Sequence, residues 1–163
     1  MQDTFEIKLA QENDIPIIFE FIRQLAEHNN SSNELIATEE ILKDSLFIKK
    51  YAEVIIGYLN KQAVAYALFL HNFSTLLGRP GIYLVDIYVI PKARNQGIGR
   101  NMFIYLATLA KERKCGRLEW SVLKSNKEAI SLYENIGAKA MDEWKTYRIE
   151  GNILNRLAKN ITN

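Results

Sequence analysis

The chain has 163 residues, 48% of them hydrophobic and 25% charged, with a formal net charge of +2. That length suits one domain with a core of its own, and the composition excludes a disordered chain. So small a charge does not argue for nucleic acid, although it leaves room for a local basic pocket around a phosphorylated ligand. Cys115 is the single cysteine, which excludes an internal disulfide framework. With no CxxC or Cys/His cluster around it, Cys115 reads as a packed small residue, and no metal site is expected. Every apolar stretch is broken within about a dozen residues, too short to span a membrane. Residues 1–6 mix charges without an apolar run, so no secretory signal is read there and a cytoplasmic protein is expected.

Residues 5–9 alternate apolar and polar side chains and predict a first strand. Asn13 or Asp14 then caps a helix with Pro16 in its first turn. Ile17, Ile18, Phe21, Ile22, Leu25 and Ala26 recur at helical spacing through about Glu27. A polar loop at 28–33 precedes a second helix from Thr38 to about Phe47. Strands at 52–59 and 63–71 flank Asn60-Lys61, a turn short enough for a hairpin. Residues 78–81 read as a turn, and 82–90 as a nearly all-apolar strand covered on both faces, ended by Pro91. A helix from about Gly97 to Lys114, a strand at 117–123 and a helix at 127–136 follow, with Gly137 as a helix stop. Residues 147–149 predict a late strand and 153–157 a last helical turn. No repeat, low-complexity tract or long linker interrupts this order, so a single domain over residues 1–163 is expected. The expected fold class is α/β (α+β), a mixed central β-sheet flanked by helices.

The strongest local signal is the stretch from Val89 to Arg100, Val-Ile-Pro-Lys-Ala-Arg-Asn-Gln-Gly-Ile-Gly-Arg. A buried strand ends, a basic loop follows, and two glycines open a long helix. Amides at a helix N-terminus have no internal acceptor and carry the positive end of the macrodipole. Glycines remove Cβ atoms there, so a phosphate can come close to the main chain. Lys92, Arg94 and Arg100 add mobile positive charge. A dinucleotide fingerprint would need glycine at position 102, which is Met102, and the Gly-Lys-Ser/Thr of a P-loop is absent. Two readings of these residues stand: a phosphate-binding turn, and a glycine-containing helix start with solvated basic side chains.

Arg94-x-x-Gly97-x-Gly99, placed after a strand and before a helix, resembles the pyrophosphate-binding signature of the GNAT superfamily of acetyltransferases. The resemblance implies acetyl-CoA as co-substrate. Ile87, Tyr88 and Val89 would bond the pantetheine arm through their backbone; Arg94, Asn95, Gln96, Gly97, Ile98, Gly99 and Arg100 would hold the pyrophosphate. Downstream, Asn126-x-x-Ala129-x-x-x-Tyr133-x-x-x-Gly137 resembles the family's last shared helix, which implies that Asn126 and Ala129 face the cofactor and Tyr133 its sulfur. The likeness covers nearly the whole chain. It is nearest to the diamine (spermidine/spermine) and thialysine acetyltransferase branch, on residues 22–27, 82–89, 131–133 and 143–148. It implies acetyl transfer to a primary amine of a small molecule, by a homodimer with its C-terminal part near the interface; the small net charge and the short apolar runs are what argue against a nucleic-acid or membrane partner. A peptide or protein amine as acceptor, and a coenzyme A-binding regulator without catalysis, stay open.

The chemistry sets its own demands. An aliphatic amine with pKa near 10.4 costs about 4.6 kcal/mol to deprotonate at pH 7, so a base in reach matters. Tyr133 is the candidate acid for the departing thiolate, because a phenol keeps its proton at neutral pH. The branch carries Glu immediately before the Asp of the central strand, and here that position is Val85, which takes no proton. Asp86 is the nearest carboxylate, although regular alternation along a strand would turn it to the other face from residue 85. Glu119, acting through water, is the second candidate base. Where the polyamine enzymes carry acid after the first helix, this chain has His28-Asn29; these two, with Val85 and Asp86, are the candidate acceptor contacts. His71 is given only a structural part.

Overall fold

The computed structural model describes residues 3–159, which form two compact units divided at Ser121/Val122. The first unit holds β1 (Phe5–Leu9), α1 (Ile15–His28), α2 (Glu39–Lys43), β2 (Glu53–Leu59), β3 (Gln62–Ser74), β4 (Arg79–Val89), α3 (Ile98–Glu112) and β5 (Leu118–Trp120). One π turn, Asp44–Ile48, extends α2. The sheet runs β1-β2-β3-β4-β5, antiparallel up to β4 and parallel between β4 and β5. This is the mixed sheet that the sequence implies.

Each face of the sheet is covered by a different part of the chain. Pro16 opens α1, where its missing N–H costs nothing. Ile15, Ile18 and Phe21 then pack on Val54, Ile56, Tyr66 and Tyr88. On the opposite face α3 buries Met102, Phe103, Leu106 and Leu109, with the Phe103 ring 4.9 Å from that of Trp120. Burying each such side chain contributes about 1.5–3 kcal/mol. Arg113, just past α3, pairs with Glu53 on β2 through its two terminal guanidinium nitrogens, and this contact holds the Glu53 carboxyl below its usual range. The β2–β3 hairpin turns on Asn60 and Lys61, both at positive φ, as a two-residue loop matched to strand twist requires.

Four stretches depart from the sequence reading. β4 starts at Arg79 rather than 82, because Arg79, Pro80 and Gly81 pair with Ser74, Phe73 and Asn72. Turn-like composition yields there to a long-range partner. A Cβ at Gly81 would come 2.4 Å from Asn72 Oδ1 and 3.3 Å from Arg117 O, so a larger residue there would force the Asn72 side chain to shift. β5 is correspondingly short, and its pairing with β4 stops at Leu84–Trp120. Residues 147–149 form no strand, since alternation yields a strand only beside a partner; Trp144 and Tyr147 are instead exposed. In the second unit, α4 (Lys127–Asn135) ends at Gly137 with φ of 90°, and α5 (Gly151–Lys159) is longer than the single turn expected. Among the described residues, no helix is long and apolar enough to cross a membrane.

Candidate active site

The loop between β4 and α3 is built to receive an anion. Pro91–Ala93 forms one 3-10 turn, and Asn95 follows at φ of 60°. Gly97 then caps α3 at φ of 76°, a left-handed conformation that side chains with a Cβ resist. Its carbonyl accepts the first helical bond, from Asn101 N at 3.0 Å. The amides of Ile98, Gly99 and Arg100 lie in the first turn, where no carbonyl four residues back is available. Nothing lies within 4 Å of where a Cβ would project from Gly97 or Gly99. The glycines therefore keep open space, and packing is not the reason for them. Gln96 Nε2 donates to Lys92 O at 3.2 Å and Arg94 Nε to Val89 O at 3.0 Å, which brace the loop from inside. The Arg94 guanidinium also lies 5.6 Å from the centre of the Tyr88 ring.

A bulge shapes the strand that leads into this loop. β3 pairs with β4 as Phe69–Leu84 and Leu68–Asp86, so Val85 is the extra residue. An inserted residue reverses the alternation beyond it. Ile82 donates its N–H outward to Arg117 O, on the β5 side, whereas Ile90 donates inward to Val64 O on β3. Counting back from Ile90, the peptide groups of Tyr88 and Asp86 face β3, and those of Ile87 and Val89 face outward. This outer edge begins just past Leu84, where pairing with β5 ends. It offers the Ile87 and Val89 N–H groups and the Ile87 carbonyl to an extended ligand, the Val89 carbonyl being engaged by Arg94.

The same reversal places side chains. Ile82 and Leu84 sit in the buried layer under α3; beyond the bulge, Asp86 and Tyr88 share the α1 face with Tyr66 and Leu68. Regular alternation would have turned Asp86 under α3, so the bulge corrects the simple face argument. Tyr66 Oη donates to Asp86 Oδ2 at 3.3 Å. Burial raises the proton affinity of the Asp86 carboxyl, and the Tyr66 bond opposes this; burial, then the Asp86 charge, pushes the Tyr66 phenol up. His28, the last residue of α1, lies 6.2 Å from the Tyr88 ring, and Asn29 caps the helix by donating its N–H to Leu25 O. Val85 is 44% exposed, so the central strand is not covered on both faces throughout. Thus Val85, Asp86, Tyr88, His28 and Arg94 belong to one region around the end of β4.

Glu119 lies elsewhere on the sheet, opposite Tyr83. Its Oε2 accepts from Asn72 Nδ2 at 2.7 Å and meets Arg117 Nε at 2.8 Å. In the second unit, Asn126 Oδ1 accepts from Ala129 N at 3.2 Å and so caps α4. Tyr133 stands on the same helix, and burial pushes its phenol up. Tyr66 escapes the sequence reading altogether. Its one signal is a hydroxyl-bearing ring inside an otherwise apolar strand.

A mixed sheet thus opens beside a glycine-lined helix start. Residues 19–138 match the Acetyltransferase (GNAT) family. Thialysine N-epsilon-acetyltransferase of Sus scrofa is 35% identical over 164 residues, covering 93% of this chain and 96% of that protein. L-ornithine N5-acetyltransferase of Arabidopsis thaliana is 25% identical over 199 residues, covering 94% and 87%. An integron cassette protein from the mobile metagenome of V. cholerae superposes with a TM-score of 0.80 at 29% identity, covering 95% of this chain and 98% of that one. The chain belongs to the GNAT family of acetyltransferases, and its activity is N-acetyl transfer.

Proposed function

We propose that the protein acetylates the primary amine of a small molecule, of the lysine-analogue or diamine class, with acetyl-CoA as donor. One observation carries the reading: the open edge of β4, the Gly97 helix start and the Asp86 carboxylate lie along one stretch of chain. The relatives named for thialysine and ornithine support an acceptor with an amine on a short aliphatic arm. We further propose that residues 1–163 work as one acetyltransferase domain, as a cytoplasmic homodimer, with neither nucleic acid nor membrane as partner.

Bound acetyl-CoA supplies a thioester carbon open to attack by an amine. In this reading the amides of Ile98, Gly99 and Arg100 hold the pyrophosphate, with Asn95, Gln96 and Arg94 shaping the loop around it. Ile87 and Val89 bond the pantetheine through their outward peptide groups; Tyr88, expected to bond it in the same way, turns its peptide group to β3 and its ring into the core. Asp86 receives the acceptor's ammonium and takes its proton, while His28, Asn29 and Val85 border the amine. Glu119, already engaged by Asn72 and Arg117, is the second candidate base, reached through water. The parts given to Asn126, Ala129 and Tyr133 rest on their motif. A phenol raised by burial keeps its proton at neutral pH and so has one to donate in a hydrogen bond to a departing thiolate.

The test is release of free thiol from acetyl-CoA across lysine analogues, ornithine, spermidine and N-terminal peptides, with products identified by mass. Acetylated small amines are the expected products. Acetylation of peptides alone would overturn the acceptor class. Coenzyme A binding without thiol release on any amine would overturn catalysis.

A further inference from the structure

Tyr66 is fully buried, its ring stacked on Phe21 at 5.3 Å with 8° between the planes. Phe21 in turn meets Tyr88 edge-on at 6.4 Å. A phenylalanine would fill that place in the stack without a polar atom to satisfy. A buried phenol needs a hydrogen-bond partner, and here the partner is Asp86 Oδ2. Phe21 and Ile18 of α1 fix the ring from the helix side, and Val54 on β2 and the Tyr66–Tyr88 register fix it from the sheet side. The hydroxyl is therefore held by packing and does not depend on Asp86 for its position.

We infer that Tyr66 is a positioning residue for Asp86, holding one carboxylate oxygen so that the other can receive the acceptor's ammonium. This rests on the reading of Asp86 as base. It gives a strand with valine at position 85 a carboxylate with one defined orientation. The balance is simple: an N–H bond of the ammonium breaks and an O–H bond forms on Asp86; the freed lone pair forms the new C–N bond as the thioester C–S bond breaks, and the amine's second proton leaves with coenzyme A as its thiol. Tyr66 keeps its own proton throughout. From β3, Tyr66 bonds the carboxylate. On β4, Tyr88 lies two residues along the same face, with His28 of α1 and Arg94 against its ring. On β5, the acid Glu119 is tied to Asn72 and Arg117.

The sign follows from the bond. Donation from Tyr66 favours the charged carboxylate, against the effect of burial. Without the hydroxyl, Asp86 holds its proton to higher pH, so less of it is free to act as base in mildly acidic solution.

The experiment measures kcat/KM for one small primary amine from about pH 6 to about pH 9 in the wild type, Tyr66→Phe, Asp86→Asn and the double variant. The acceptor's own titration cancels in the ratio of wild type to variant. The handicap of Tyr66→Phe is expected to be larger near pH 6 than near pH 8.5, by at least about twofold. It should vanish in the Asp86→Asn background. A fluorinated tyrosine at position 66, which donates more strongly, should shift the ratio the other way even if Tyr66→Phe folds poorly. A ratio that is flat with pH overturns the inference. Carbon-13 NMR titration of the Asp86 carboxyl separates this failure from failure of the proposed function. If no amine is acetylated but the carboxyl still moves up in Tyr66→Phe, the positioning stands and the function falls; an unmoved carboxyl overturns the positioning itself.

Discussion

Gly97 and Gly99 face equally open space yet answer to different constraints, which makes them a paired test. Gly97 has φ of 76°, so any residue with a Cβ pays about 1–2 kcal/mol of backbone strain there. At about 2–4 °C per kcal/mol for a chain of this size, Gly97→Ala should lower Tm by roughly 2–8 °C. Gly99 is the second residue of α3, and nothing meets its Cβ. Gly99→Ala should leave Tm unchanged or raise it, since glycine in a helix costs roughly 0.5–1 kcal/mol relative to alanine. Gly99→Val places a branch where a phosphate would approach. Loss of two amide-to-phosphate bonds, at about 1.5 kcal/mol each, is about 3 kcal/mol, or roughly 150-fold in Kd. Calorimetric titration with acetyl-CoA and thermal unfolding read the two effects separately. A Gly99→Val protein that folds normally and binds acetyl-CoA with unchanged affinity would refute the placement of the pyrophosphate. Equal Tm for both alanine variants would refute the strain argument at Gly97.

Tyr133→Phe keeps the ring and removes the donor, so turnover should fall by about 10²- to 10⁴-fold with cofactor affinity nearly kept. Steady-state rates under conditions where chemistry limits turnover provide the check, and a loss below about threefold would reduce Tyr133 to packing. Val85 sits at a bulge and is 44% exposed, so Val85→Glu should fold with little penalty. It should raise kcat/KM for spermidine at neutral pH and flatten its climb with pH. Efficient wild-type turnover of spermidine at pH 7, unchanged by Val85→Glu, would refute the gain expected from a second carboxylate and leave proton removal to Asp86 alone.

What the sequence discloses and what it hides divide along a physical line. The helix start at Gly97 is legible because glycine spacing and basic neighbours are local properties. The hairpin at Asn60-Lys61 and the stop at Gly137 are legible for the same reason. The start of β4 at Arg79 is not, because a Gly-Arg-Pro-Gly run looks like a turn until β3 supplies its partner. Nor is the bulge at Val85, which arises from a mismatch in register between two strands. Because the bulge decides which face Asp86 occupies, the Tyr66–Asp86 contact was hidden with it. The 147–149 segment shows the converse, a strand-like pattern without a paired neighbour.

The account turns on where the cofactor lies along the main chain, and amide hydrogen exchange with and without coenzyme A tests this most directly. Protection should appear at Ile87 and Val89, whose peptide groups face outward, and at Ile98, Gly99 and Arg100 in the first turn of α3. Tyr88, already paired with β3, should change little. Protection confined to other parts of the chain, with these five amides exchanging as before, would contradict the account.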